Sequence, residues 1–137
     1  EQEPNDAVGL TSRGAARLLA GEPEKAIPDF NASISKDPAY AKTYHLRGLA
    51  FAKINEDKRA LADFDKAISL NPEYGAAYNS RAELHNKLHN EEQAVEDRQM
   101  VAHLTEKHIQ EFSNENNVWR SDHLAVEEAG IADVMNR

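Results

Sequence analysis

The sequence predicts an all-α protein built as an array of helix pairs, and two observations support this prediction. Residues 63–74 read DFDKAISLNPEY and residues 29–40 read DFNASISKDPAY, so six of twelve aligned positions are identical at a separation of 34 residues. Apolar residues within these segments recur at steps of three and four, which is the spacing of one helix face. A period of roughly 20–50 residues is typical of solenoids, in which each unit buries its apolar face against the next.

The register of this repeat extends over three rows, which start at Ala7, Ala41 and Gly75. The seventh residue of every row is Arg, the twentieth is Ala and the twenty-third is Asp. Because neither junction contains an insertion, the rows predict an N-terminal arm and three helix-turn-helix units, at 1–6, 7–40, 41–74 and approximately 75–108.

The second row shows most clearly how each unit is predicted to fold. Its segments AYAKTYHLRGLAFAKI and KRALADFDKAISL have helical apolar spacing, and INED separates them. Gly48 and Ala60 are expected where the two helices approach closely, and Tyr44, Phe51 and Phe64 are expected to fill the space around them.

The junctions between units contain Asp37-Pro38 and Asn71-Pro72. Asn is a favourable N-cap, and Pro is tolerated in the first helical turn, where its missing N–H needs no partner. We therefore expect Asn71 to cap the third unit's first helix and Pro72 to lie in its first turn.

Residues 107–137 depart from the repeat. KHIQEF is expected to continue a helix and SNENN to break it. The last twenty residues are predicted to form a capping helix with Trp119, Leu124, Ile131 and Val134 turned inward, since an array needs an end with one polar face. The alternative is a tail that docks in a groove of this chain or of a neighbour.

These rows resemble the tetratricopeptide repeat (TPR) family in their period and in their pattern of aromatic and small residues. The second row matches best, and the resemblance covers residues 7 to about 106. It implies a right-handed α-solenoid of three TPR units with a C-terminal capping helix. Two rows depart from the family pattern, at Arg17 and Pro28 in the first row and at His85, Arg98 and Glu106 in the third. Because Glu106 replaces the closing Pro, the third unit's second helix is expected to continue past it.

Composition narrows the classes of function. The chain has 16 Lys and Arg against 24 Asp and Glu, a formal net charge of −8, which disfavours nucleic acid and anionic membranes as partners. The chain has no cysteine, which excludes disulfides and thiolate chemistry. We expect no transmembrane helix and no signal peptide, and the start at Glu1 is consistent with an excised or processed piece. Cytoplasm and periplasm both remain open.

No catalytic residue, metal site or cofactor is predicted, and the chain is expected not to be an enzyme. His85 and His89 have the four-residue spacing of helical metal ligands, but no acidic residue follows in the arrangement of a zinc hydrolase. His85 also occupies a core aromatic position, so a structural role is expected.

Three Arg residues recur with an Asp sixteen positions later: Arg13, Arg47 and Arg81. Each Arg lies on a first helix and each Asp on a second helix. Because an unpaired buried charge is costly, we expect structural ion pairs, formed either within a unit or across a junction.

The family resemblance places the ligand site on the first helices, which line a groove for a peptide. It implies six groove positions in each row: Val8, Thr11, Ser12, Ala15, Leu18 and Leu19; Lys42, His45, Leu46, Leu49, Ala52 and Lys53; Ala76, Asn79, Ser80, Glu83, Asn86 and Lys87. The predicted partner contacts are Thr11, Lys42, His45, Leu49, Lys53, Asn79, Glu83, Asn86 and Lys87. Three Lys and one Glu among these positions favour a partner segment with a carboxylate near apolar residues.

Some family members clamp the acidic tail of heat-shock chaperones with Lys and Asn. The corresponding positions here are Thr11, Ala15, Leu46, Ala76 and Ser80, so that clamp is absent. The predicted function is a protein-interaction scaffold or adaptor that binds a partner's peptide or helix. The alternative is a self-associating module that uses the C-terminal segment or the end helices.

Overall fold

A computed structural model describes residues 4–116, which form six helices and no strand. The helices are α1 (Ala7–Leu19), α2 (Pro23–Lys36), α3 (Ala41–Lys53), α4 (Asp57–Leu70), α5 (Gly75–Lys87) and α6 (Glu91–Glu115). The first helices start at intervals of 34 residues, and so do the second helices. The prediction of an all-α helical repeat is confirmed.

By its internal contacts the chain divides into two compact parts, 1–101 and 102–137, which differ from the three repeat units. The first part contains α1 to α5 and the start of α6, and the second contains the described remainder of α6. Helix α6 continues past Glu106, as the missing Pro predicts, and ends at Glu115. The predicted break therefore begins later than expected, because Ser113 and Asn114 still extend the helix. The predicted capping helix lies outside the described residues.

Aromatic rings packed on small residues hold each pair together in the first two rows. Phe30 and Phe64 are fully buried, and a β-carbon added to Gly14 or Gly48 would lie 2.5 or 2.6 Å from the ring of its own pair. Phe64 joins Phe51, Ala60 and Leu84 in a core cluster, so it connects the second pair to α5. The predicted close approach at Gly48 is confirmed.

The turns inside the pairs share one backbone conformation. Gly21, Asn55 and His89 occupy the fifteenth position of their rows, with φ of 80°, 63° and 63°. This left-handed conformation favours Gly and Asn, and it ends each first helix. His89 therefore lies beyond the end of α5 and does not share a helix face with His85.

At the junction between the second and third units, the expected helix cap at Asn71 is wrong. Asn71 follows the last residue of α4, and α5 begins only at Gly75. The Tyr74 N–H donates to the Asn71 carbonyl at 3.0 Å, and the Asn71 side chain accepts from the Glu73 N–H at 3.1 Å. Asn followed by Pro is the preferred start of a type I turn, so these residues form a turn rather than a helix start. The Tyr78 hydroxyl donates to the Pro72 carbonyl at 2.9 Å and ties this turn to α5.

Candidate functional site

The first helices lie side by side, with α3 packed against both α1 and α5. Between α3 and α5 the surface opens into a cavity of about 240 Å³. We call it the α3–α5 cavity, and its lining residues are Leu49, Ala52, Lys53, Phe64, Ser80, Glu83, Leu84 and Lys87.

The floor of the α3–α5 cavity is apolar. Leu49 and Ala52 of α3 and Leu84 of α5 pack with Phe64, which rises from α4 below. An apolar cavity of about 150 Å³ in another protein is large enough to bind benzene. The α3–α5 cavity is therefore large enough for an aromatic or large aliphatic side chain.

The rim of the cavity carries three charged side chains, Lys53, Glu83 and Lys87. Lys87 Nζ lies 3.0 Å from the Asp57 carboxylate and 3.0 Å from the side-chain amide oxygen of Asn55, both next to the start of α4. Among residues 4–116, no ion pair engages Lys53 or Glu83, and both are exposed. The rim thus offers one available cation and one available anion, a smaller positive charge than the sequence count predicts.

His45 is hydrogen-bonded to Ser80, which lines one wall of the α3–α5 cavity. The imidazole is 8% exposed, with Nε2 at 2.8 Å from the Ser80 hydroxyl and Nδ1 at 3.2 Å from the Tyr74 hydroxyl. Burial lowers the pKa of His45 to about 4, so the ring is neutral at pH 7. Ser80 lies within α5, where neighbouring N–H groups are used by the helix and cannot bind an oxyanion. The hydrogen bond to His45 holds the Ser80 side chain in place beside the cavity.

The structure brings only part of the predicted set together. Leu49, Lys53, Glu83 and Lys87 line the cavity, and His45 adjoins it. The remaining predicted contacts lie elsewhere, at positions described next: Thr11, Lys42, Asn79 and Asn86.

Thr11 offers almost no surface to a partner, because it is 1% exposed and hydrogen-bonded to Ser33 and Thr43. Lys42 and Asn79 are exposed and line no part of the α3–α5 cavity. The Asn86 amide faces Arg98 of α6, and with its oxygen toward the guanidinium it accepts at 2.7 and 2.8 Å.

Two lining residues come from outside the predicted groove positions, Phe64 and Leu84. Phe64 is recognisable from the sequence only as a core residue. Leu84 carries a signal that could have revealed it, because the equivalent positions of the other rows hold Ala16 and Ala50. A larger side chain at one row of a repeat indicates a local change in packing.

The predicted Arg–Asp ion pairs are confirmed, and each forms within its own unit. Arg13, Arg47 and Arg81 bind Asp29, Asp63 and Asp97 with nitrogen–oxygen distances down to 2.8, 2.8 and 2.7 Å. The three carboxylates are buried, and the bond to Asp63 raises the pKa of Arg47.

Two of these guanidinium groups also reach the preceding unit. Arg47 donates to the side-chain amide oxygen of Asn31 and Arg81 to the Asp65 carboxylate, both at 2.9 Å. Asn31 and Asp65 are equivalent positions of successive rows. The Arg residues therefore join neighbouring units as well as the two helices of one unit. Their donors are used inside the protein, so these residues are part of the scaffold.

The two histidines with metal-ligand spacing, His85 and His89, do not lie on one helix. His85 is buried, with Nε2 at 4.0 Å from the Asp97 carboxylate, and His89 lies in the turn after α5. Within residues 4–116, no group of three or more His, Cys, Asp or Glu side chains is arranged to hold a metal ion.

Repeating helix pairs and a cavity between neighbouring first helices define a helical-repeat protein. Residues 41–74, the second predicted unit, match the family model described as tetratricopeptide repeat. The chain therefore contains a tetratricopeptide repeat at residues 41–74, and the structural similarities below show that it shares the fold of TPR domains. A search of curated proteins gave no match.

Solved TPR domains share this fold. The second TPR domain of Spaghetti (RPAP3), solved with the HSP90 peptide SRMEEVD, is 28% identical with a TM-score of 0.68, over 72% of this chain and 91% of that one. The first TPR domain of human RPAP3 is 26% identical with a TM-score of 0.69, over 72% and 77%. MamA is 24% identical with a TM-score of 0.73 over 77% of this chain and 62% of its own, and this similarity shows the fold alone.

Among residues 4–116, no helix is both long enough and apolar enough to cross a lipid bilayer.

Proposed function

We propose that this chain is a protein-interaction module that holds an extended peptide segment of a partner against α3 and α5. The observation that carries the proposal is the α3–α5 cavity, which combines an apolar floor with charged side chains at its rim. Such a combination is typical of peptide sites, where apolar contacts give affinity and a few polar groups fix orientation.

The RPAP3 domains support a peptide ligand, since two of them are described with the HSP90 peptide SRMEEVD. The ligand of this chain is proposed to differ. Two positions where related domains use Lys or Asn for an acidic tail hold Thr11, which is buried, and Ser80, which is bonded to His45. Neither supplies a cation, so the proposed partner is not a chaperone tail.

A pair of matched variants tests the proposal. Ala52 lines the cavity, whereas Ala62 is exposed on α4 outside it. Partners are captured from a lysate by the 137-residue chain, by Ala52→Phe and by Ala62→Phe, and are identified by mass spectrometry. We expect a partner that is retained by the parent and by Ala62→Phe but lost by Ala52→Phe, because the added ring fills the cavity.

Charge reversal provides a second comparison. Lys53→Glu changes the cavity rim, and Lys66→Glu changes an exposed site on α4. The partner's affinity should respond to the first change and not to the second, while melting temperatures stay close to the parent's. Loss of binding by Lys66→Glu or Ala62→Phe alone would place the partner on the second helices and contradict the proposal.

A further inference from the structure

We infer that the α3–α5 cavity selects a partner segment of mixed charge, in which a large apolar side chain is flanked by one acidic and one basic residue. This inference rests on the proposed function and adds the chemistry of the partner. It differs from the sequence-based expectation, in which a carboxylate alone is favoured.

The first step concerns Lys87, which the sequence counts as a groove cation. Its ammonium group is held between Asn55 and Asp57, at 3.0 Å from each side-chain oxygen. The Asp57 side chain is 22% exposed and that of Lys87 46%, so the pair lies partly out of solvent. The positive charge of Lys87 is therefore balanced at the rim by the negative charge of the Asp57 carboxylate.

The second step concerns Glu83, one helical turn before Lys87 on α5. A Glu four residues before a Lys ordinarily pairs with it on the helix surface. Here Lys87 reaches α4 instead, so the Glu83 carboxylate is left to face the cavity mouth. Lys53 of α3 also lines the cavity, and it makes no ion pair among residues 4–116.

The third step is the shape of the segment that fits. In an extended chain, residues two apart point to the same side. A large apolar residue in the cavity therefore places its second neighbours on either side toward the rim. An acid at one of these positions complements Lys53, and a base at the other complements Glu83, so the recognised pattern is acid–x–apolar–x–base or its reverse.

Capped synthetic peptides test this pattern on the 137-residue chain. EGFGK and KGFGE carry mixed charge, EGFGE and KGFGK carry like charges, and EGGGK lacks the apolar residue. Binding is followed by the NMR signals of Leu49, Ala52 and Leu84. We expect the better mixed peptide to bind about threefold more tightly than either like-charged peptide, as exposed ion pairs allow. EGGGK should not shift the cavity signals.

The substitution Glu83→Lys should change the preference, making EGFGE the tightest ligand because both rim groups are then cationic. Glu24→Lys, the same substitution at an exposed site on α2, is the matched control and should keep the parent's preference. A parent that prefers EGFGE or KGFGK, or a Glu83→Lys variant with unchanged preference, would overturn the inference while leaving the proposed function intact.

Other outcomes also decide the question. If no peptide shifts the cavity signals and Ala52→Phe keeps its partner, both the inference and the proposed function fail. Cavity signals that move on dilution of the protein alone would identify a second copy as the occupant and overturn the inference. Tighter binding by a synthetic peptide of residues 117–137 than by EGFGK would identify the chain's own end as the occupant, with the same consequence.

Discussion

The ring of Phe64 lies directly against Gly48, where an added β-carbon would be 2.6 Å from Cε1 and 2.7 Å from Cδ1. The same β-carbon would lie 3.2 Å from the Ala60 carbonyl oxygen, so the backbone of α4 also limits the space. This contact fixes the distance between α3 and α4 and places Phe64 under the cavity. The packing of α3 on α4 and the position of the cavity floor therefore depend on one pair of residues.

Gly48→Ala should destabilise the protein. Overpacking costs about 1–3 kcal/mol, whereas Ala gains up to about 1 kcal/mol over Gly inside a helix. We expect a net loss of up to about 2 kcal/mol in the free energy of unfolding, measured by urea denaturation. Gly75→Ala is the control, because nothing lies within 4 Å of its added β-carbon. Equal stability of the two variants would contradict the contact.

The Arg47–Asp63 pair should contribute more to stability than the Arg81–Asp65 contact. The Asp63 side chain is 7% exposed, whereas that of Asp65 is 57% exposed, although both accept at 2.8–2.9 Å. A double-mutant cycle of Arg47→Ala and Asp63→Ala should give a coupling energy of about 1–3 kcal/mol. The cycle of Arg81→Ala and Asp65→Ala should give less than about 1 kcal/mol, because solvent screens the pair.

Salt distinguishes the two pairs further. The weak Arg81–Asp65 coupling should shrink in 1 M NaCl, where the screening length is about 3 Å, while the buried coupling should persist. Additive effects of Arg47→Ala and Asp63→Ala would show that the buried pair does not act as a unit.

The periodic part of the fold was predictable because it depends on shapes that every unit must repeat. In each of the first two rows, a Gly at the eighth position is followed sixteen positions later by an aromatic residue. This spacing indicates the contact that the structure shows between Gly48 and Phe64. The turns were predicted less well. Asn71-Pro72 suits both a helix start and a type I turn, and only the hydrogen bond from the Tyr74 N–H to the Asn71 carbonyl distinguishes them.

The candidate site was predictable only in part, because equivalent positions of a repeat need not have equivalent neighbours. Thr11 and His45 both lie at the fifth position of their rows. Thr11 is covered by α2 and α3 through hydroxyl groups, whereas His45 reaches Ser80 beside the cavity. Similarly, Lys87 is recognisable as a cation, but its pairing with Asp57 depends on the distance between α4 and α5.

His45 should make stability dependent on pH. Burial lowers its pKa from 6.5 to about 4 in the folded protein. Between these values the unfolded chain binds a proton that the folded chain does not, so stability falls as pH decreases through this window. The shift corresponds to about 3 kcal/mol at most, at 1.36 kcal/mol per pKa unit.

Urea denaturation at pH 7.5 and pH 4.5 measures this dependence. His45→Gln removes the titrating group, so its stability should change less between the two pH values than the parent's. NMR titration should show that the His45 ring remains neutral at pH 5.5. A His45 ring that titrates near 6.5 would contradict the prediction.

The hydroxyl groups of Thr11, Ser33 and Thr43 should behave as one unit. They join α1, α2 and α3, with oxygen–oxygen distances of 2.7, 2.8 and 3.2 Å, and each residue is at most 1% exposed. Removing one hydroxyl deletes its two hydrogen bonds while the other two hydroxyls remain paired, so Thr43→Val should cost about 0.5–1.5 kcal/mol. Thr11→Val should cost a similar amount.

Replacing all three residues together should cost less than the sum of the three single changes. The variant with Thr11→Val, Ser33→Ala and Thr43→Val contains no hydroxyl at this site, so no polar side-chain group is left without a partner. Ser33 also donates to the Ala7 carbonyl at 2.8 Å, but that carbonyl lies in the first turn of α1 and keeps its helical hydrogen bond. Unfolding free energies of the singles and the triple variant, measured in urea, decide the point. Full additivity would mean that each hydroxyl contributes independently, and the network would then be three separate contacts between neighbouring helices.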